Sequence, residues 1–303
     1  MRAKFVRQRL TRPVSATEAK DLTDFFHAEK AEILECGICT LLVRHEYEPP
    51  PAEEYAADEY DRDAVEKEYP EYVAAFRRKE APYRELLPPA ARVLEVGSHY
   101  GAFLQVAGEW GWQAEGVDVG KDTSAFANAK GFLVHNVELQ NADFPPAAFD
   151  GVFVWNCFEQ IDDAGPVLAA SHRILKPGGL FVVRTPNGLF YSTCERLLRG
   201  KQVHPETEQF LLDAMGYNNL LGFPYLYGHN RATLERLIEP HGFRLEGVLN
   251  SELLTLPVPD KSPEVKGEER IINDKMRMLA NSVLANSAGV LTGPWIELWF
   301  RRQ

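Results

Sequence analysis

A chain of 303 residues, 45% hydrophobic and 25% charged, is long enough for one large α/β domain and a smaller appendage. No apolar run approaches the roughly 20 residues that a membrane helix needs. The formal net charge of −11 argues against broad binding to nucleic acid, whose phosphates are gripped through clustered Lys and Arg. Four cysteines are too few for a disulfide framework at this size, so a reducing, cytoplasmic setting is expected.

In chain order, residues 1–12 carry Arg2, Lys4, Arg7, Arg9 and Arg12 and no acid. Without an apolar core this stretch predicts a mobile basic terminus rather than a targeting segment. Cys36-Gly-Ile-Cys39 has the spacing of half a zinc knuckle. No second pair precedes it, and His27 and His45 complete no recognised spacing, so no metal is expected. The segment Glu46–Glu71 holds eleven acids and two bases, interrupted by Pro49, Pro50 and Pro51. That composition predicts a connector followed by a charged helix. The helix continues through Tyr72, Phe76 and Tyr83, which recur at helical intervals, until Pro88-Pro89 stops it. The expected division is therefore an appendage over 1–87 and a main domain over 88–303.

From Arg92 onward, short apolar strands alternate with helices. Strands are expected at Val93–Gly97, Gln113–Val119, Phe132–Val137, Gly151–Trp155 and Leu180–Thr185. Helices are expected at Phe103–Glu109, Thr123–Lys130 and Pro166–Leu175, the last stopped by Lys176-Pro177-Gly178-Gly179. Two later strands are read at Leu245–Leu254 and Trp295–Arg301, with helices over Arg231–Glu239 (Asn230 as its cap) and around Glu268–Asn286. Alternation of this kind predicts a doubly wound, mostly parallel α/β sheet with right-handed crossovers and ligands at the carboxyl ends of its strands.

Every motif falls at such an end. Glu95 closes the first strand and leads into Gly97-Ser98-His99-Tyr100-Gly101, where glycine lets backbone approach a ligand closely. Asp118 closes the second strand, twenty-one residues after Gly97, where an acid can accept from both hydroxyls of an adenosine ribose. A dinucleotide site would instead need Gly-x-Gly-x-x-Gly, and His99 and Ala102 crowd the place of a pyrophosphate.

Glu95-Val-Gly97-x-x-x-Gly101, Gly116-Val-Asp118, Phe149-Asp150 and Leu175-Lys-Pro-Gly-Gly179 together resemble the class I S-adenosylmethionine-dependent methyltransferases over roughly residues 92–250. The resemblance implies a Rossmann-like, seven-stranded sheet with an antiparallel last strand, and S-adenosylmethionine as cofactor, with Glu95, Gly97 and Gly101 around its methionine portion and Asp118 on the ribose. It further implies Glu138 and Leu139 beside adenine, and Trp155 and Asn156 toward the sulfonium and acceptor. Two positions depart from the pattern: His99 replaces a usual glycine, and Gln160 replaces the histidine that commonly follows Glu159. Cys36–Cys39 before Pro49–Pro51 is also similar to the amino-terminal segment of some sugar and glycan methyltransferases, without their second Cys pair.

Thr185-Pro186-Asn187 and the later Tyr227-Gly-His229 resemble small-molecule O-methyltransferases of the ubiquinone-biosynthesis and sugar-tailoring kind. The intervening residues 189–230, rich in aromatics, are expected to form a lid over an acceptor pocket. His229 and His204 are the candidate general bases. The implied activity is methyl transfer to an oxygen of a small molecule or glycan precursor. C- or N-methylation and a non-catalytic binding protein are the alternatives.

Overall fold

The computed structural model describes residues 2–6, 32–44, 62–198, 204–217, 226–251 and 293–303, together with 267, 271, 274 and 275. In chain order the elements are β1 (Arg2–Val6), β2 (Glu32–Glu35), β3 (Leu42–Arg44), α1 (Arg62–Arg77), α2 (Glu80–Leu86), β4 (Arg92–Val96), α3 (Ala102–Glu109), β5 (Gln113–Val117), α4 (Lys121–Ala129) and β6 (Leu133–His135). There follow β7 (Phe149–Trp155), α5 (Ala164–Ile174), β8 (Leu175–Pro186), α6 (Gly188–Leu198), α7 (Pro205–Tyr217), β9 (Tyr227–Gly228), α8 (Arg231–Ile238), β10 (Phe243–Ser251) and β11 (Trp295–Arg302).

The main sheet is seven-stranded in the order β10-β11-β8-β7-β4-β5-β6. Its strands β8, β7, β4, β5 and β6 pair in parallel, while β11 runs antiparallel to both β8 and β10. The expected doubly wound sheet with an antiparallel last strand is thus the observed one. Its central strands read as nearly unbroken apolar runs because helices cover both faces. One face packs Val93, Phe153 and Val182 against Tyr69, Phe76 and Tyr83 of α1 and α2 and Phe103 of α3. The other packs Leu94, Val152, Phe181 and Leu298 against Leu168 of α5 and Leu234 of α8.

Several elements differ in detail from the sequence expectation. The helix expected through residues 72–87 is two helices, broken at Arg78 and Lys79. Pro82 supplies the reason: it has no N–H to offer the carbonyl four residues back, and its ring crowds that carbonyl. Lys176–Gly179, expected as a helix stop, lies within β8 as a bulge. Pairing there slips from Phe149↔Leu175 to Gly151↔Leu180. The expected mobile basic terminus is, at Arg2–Val6, a strand paired antiparallel with β2.

β1, β2, β3 and β9 form a second, four-stranded antiparallel sheet. Cys36 and Cys39 sit in the turn between β2 and β3, closed by Cys36 N–H to the Leu41 carbonyl (2.8 Å) and Thr40 N–H to the Cys36 carbonyl (3.0 Å). Among the described residues no group of three or more His, Cys, Asp or Glu side chains is placed to hold a metal. Nor is any described helix long and apolar enough to cross a membrane. The connector at Pro49–Pro51 lies outside the described residues, as do most of the expected helix Glu268–Asn286 and two parts of the expected lid, 199–203 and 218–225.

Candidate active site

At the carboxyl end of β4 the backbone turns sharply. Gly97 (φ 70°), His99 (φ 47°) and Gly101 (φ 76°) all take left-handed conformations, which cost a non-glycine residue energy and a glycine nothing comparable. Gly97 also has no room for a side chain, since a Cβ there would lie 2.7 Å from Cys157 Sγ. The loop is tied to the end of β5 by Gly97 and Ser98 N–H groups donating to the Val117 carbonyl (2.9 and 3.2 Å). Asp118 ties it from the other side. Its Oδ2 accepts from His99 N–H (2.7 Å), and its Oδ1 accepts from Gly120 N–H (2.7 Å) and the Thr123 hydroxyl (3.1 Å).

Glu95 is 3% exposed, and its Oε2 has no hydrogen-bond partner. Burial, with the nearby Asp118 charge, pushes its carboxyl well above the usual range. Glu95, Gly97, Gly101 and Asp118 therefore form one constellation across the ends of β4 and β5.

The other expected cofactor residues take different places. Glu138 is exposed and accepts from Gln140 Nε2 (2.9 Å) and Asn141 Nδ2 (3.0 Å). Leu139 is buried in the core beneath the β5 end, with Val96 and Val117. Trp155 packs inside an aromatic cluster with Phe76, Phe103, Phe153 and Tyr83, at centroid distances of 5.5 to 5.8 Å. Asn156 (φ 57°) accepts through Oδ1 from the Arg184 guanidinium.

A second constellation occupies the carboxyl ends of β7 and β8. Glu159 lies in the short 3-10 turn Phe158–Gln160 and is wholly buried. Its Oε2 accepts from the Thr185 hydroxyl (3.1 Å), while its Oε1 has no partner. Burial drives its carboxyl up to about 7, against the opposing pull of its own backbone amide, Thr185, Arg184 and Gln160. Arg184 and Thr185 are themselves buried, and so is Asn187. His229 is 4% exposed, with its ring 5.6 Å from that of Phe158 and its Nδ1 without a partner. Burial lowers His229 to about 4. His204 stands elsewhere: its carbonyl accepts the Thr207 and Glu208 N–H groups at the start of α7, and its ring is 70% exposed, 3.9 Å from Glu206.

Cys157 lies between the two constellations. Its Sγ faces the Val96 carbonyl (3.4 Å) and abuts Gly97. Burial first, then the charges of Glu159, Asp118 and Glu95, push its thiol well up. The acids of both groups thus bear on one sulfur at the carboxyl end of the central strands. The sequence marks the residues of the first group as cofactor candidates and gives Glu159 no role; the departure from the family pattern there is Gln160 beside it. The available signal was an acid one residue from the departing Gln160, just past the end of β7.

A family model described as a methyltransferase domain matches residues 65–247, more than half the chain. A probable S-adenosylmethionine-dependent methyltransferase of Mycolicibacterium smegmatis is 29% identical over 121 residues, which is 39% of this chain and 47% of that protein. The alignment thus spans about half the length of that relative. Among solved structures, Haemonchus contortus phosphoethanolamine N-methyltransferase 2, bound to phosphomonomethylethanolamine and S-adenosylhomocysteine, aligns at a TM-score of 0.50 and 17% identity, covering 95% of this chain and 74% of that one. An S-adenosylmethionine-dependent methyltransferase of Mesorhizobium loti aligns at 0.49 and 16%, covering 73% and 96%. At such identities the likeness is one of fold. With the family match added to the glycine loop and the sheet order, the chain belongs to the methyltransferase-domain family, the class I S-adenosylmethionine-dependent methyltransferases.

Proposed function

We propose that this protein transfers a methyl group from S-adenosylmethionine to an oxygen of a small molecule or glycan precursor. The observation that carries the cofactor half is the left-handed loop 97–101, clamped by Asp118 beside the orphaned, buried Oε2 of Glu95. Those residues fit the cofactor. A buried polar atom without a partner is costly, and the methionine ammonium would satisfy Glu95. The left-handed loop would bring its backbone close to the methionine portion, and Asp118 can accept from a ribose hydroxyl. When bound, S-adenosylmethionine supplies a methyl group already activated on a sulfonium sulfur.

The chain's own task is then to align the acceptor and receive its proton. Holding reactants in line can supply several kcal/mol of the barrier. The polar groups at the ends of β7 and β8 suit an acceptor that bears hydroxyl groups, and α6 and α7 would frame its entry. His229 belongs to this acceptor side, while His204 at the start of α7 would act only if the lid carried it inward. Titration calorimetry with S-adenosylmethionine, followed by a methyl-transfer assay on hydroxyl and amine acceptors, tests the reading. Absence of cofactor binding would refute it, and cofactor binding without turnover would mark a non-catalytic relative.

A further inference from the structure

We infer that Glu159 is the base that takes the acceptor's proton, with His229 as the second hydrogen-bonding group of one acceptor subsite for a hydroxyl-bearing ring. This rests on the methyl-transfer reading above and names the site's chemistry. Both side chains are at least nine-tenths buried, and each ends in an atom without a partner, Oε1 of Glu159 and Nδ1 of His229. Each such atom is expensive to keep unless a ligand satisfies it.

The backbone joins the two residues. Phe158 touches the His229 ring, and Leu226 N–H donates to the Glu159 carbonyl (3.3 Å). Gly188 N–H donates to the His229 carbonyl (2.7 Å). Cys157 connects this subsite to the glycine loop. The ionisable neighbours are Arg184 on β8, Cys157 before the 3-10 turn, and Tyr227, whose hydroxyl donates to the Asp162 carbonyl (3.1 Å).

The division of labour follows from basicity. A base works best when its pKa lies near the working pH. Glu159 is held up to about 7, whereas burial leaves His229 at about 4, neutral and weakly basic. In the step, the acceptor oxygen forms its bond to the methyl carbon as the carbon–sulfur bond breaks, and that electron pair stays on sulfur. The acceptor's proton passes to Oε1 of Glu159, whose carboxylate must be ionised beforehand. A hydroxyl on an aromatic ring and one on a sugar share this chemistry.

The test uses the full chain saturated with S-adenosylhomocysteine, whose own binding isotherm checks the methyltransferase reading separately. Catechol and methyl glucoside serve as the two probes, titrated by calorimetry at pH 6 and pH 8. At least one should bind, and several-fold more tightly at pH 8. Glu159→Gln should weaken that binding at least tenfold and abolish its pH dependence while leaving S-adenosylhomocysteine affinity unchanged. His229→Gln should weaken it without changing the pH dependence.

A measurement on the unmutated protein guards against a variant that misfolds. With ¹³C-carboxyl-labelled glutamate, one resonance should titrate near pH 7 and move to lower pH when the probe binds. Three results would each overturn the inference: neither probe binds, binding is equal in Glu159→Gln, or no near-neutral glutamate responds to the probe. An aromatic arm that binds alone, or a sugar arm alone, supports it and assigns the ring.

Discussion

A carboxylate removed from water holds its proton longer, and for Glu159 that has a consequence for stability. Its carboxyl is held at about 7 in the folded chain, against a reference of 4.5. Between those values the folded state binds more protons than the unfolded one, so stability falls as pH rises through this window. At about 1.4 kcal/mol per unit, the penalty reaches roughly 3 kcal/mol above pH 7. Glu159→Gln keeps the shape and removes the charge. Urea unfolding should show the variant gaining on wild type by about that amount between pH 4.5 and pH 8, and parallel curves would refute the buried charge. Asp118 acts as a hydrogen-bond acceptor for the loop. Three donors already engage it, of the roughly four its two oxygens can take. Asp118→Ala should cost at least about tenfold in S-adenosylmethionine affinity and also release the His99 amide. A calorimetric titration with unchanged affinity would exclude Asp118 from the ribose site.

Between elements, the joint of α1 and α2 is fixed to the sheet by a charge pair rather than by apolar contact alone. Lys79, in the break between the helices, lies 2.5 Å from Glu297 on β11, and their side chains are 15% and 1% exposed. The Tyr83 hydroxyl also donates to Glu297, and Trp299 Nε1 donates to the Tyr83 oxygen (3.0 Å). Burial opposes ionisation of Glu297, but the Lys79 charge and these hydrogen bonds outweigh it and hold the carboxyl below its usual range. Breaking a buried pair by removing one partner costs far more than the pair itself contributes, typically about 3–5 kcal/mol. Lys79→Met should therefore destabilise by roughly 3 kcal/mol at pH 7, with partial recovery toward pH 5 as Glu297 takes up a proton. Denaturant midpoints at the two pH values check both parts, and a loss under about 1 kcal/mol would show that the pair is solvated. The pairing spans 218 residues, and no local pattern announces it. The helical character of the segment was legible, because its apolar spacing is a local property, whereas the break at Arg78 and Lys79 was not read from it.

Across the whole molecule the same distinction decides what could be read in advance. The central strands of the main sheet were legible because burial on both faces leaves an apolar run, and the turns at Gly97 and Gly101 because left-handed backbone favours glycine. Glu159 was not, because its character comes largely from its burial and from residues distant in sequence, Arg184 and Thr185 among them. The partnership of the two sheets was equally hidden. β3 pairs with β9 through Leu42↔Gly228 and Val43↔Tyr227, and Asn230 Nδ2 donates to Thr40 Oγ1 (2.9 Å). Residues 226–230 thus lie between the small sheet and the acceptor side, since His229 is among them and Leu226 bonds the Glu159 carbonyl. Leu42 is fully buried at this junction. Its truncation should leave a cavity worth about 2–5 kcal/mol, paid locally if the small sheet opens as its own unit. In Leu42→Ala, amide hydrogen exchange should quicken at residues 226–230 and 42–44 while β4, β5 and β7 keep their protection. Affinity for S-adenosylhomocysteine should hold and the acceptor probes should bind more weakly. Uniform loss of protection would instead make the two sheets one cooperative unit, and unchanged exchange at 226–230 would disconnect the small sheet from the acceptor side.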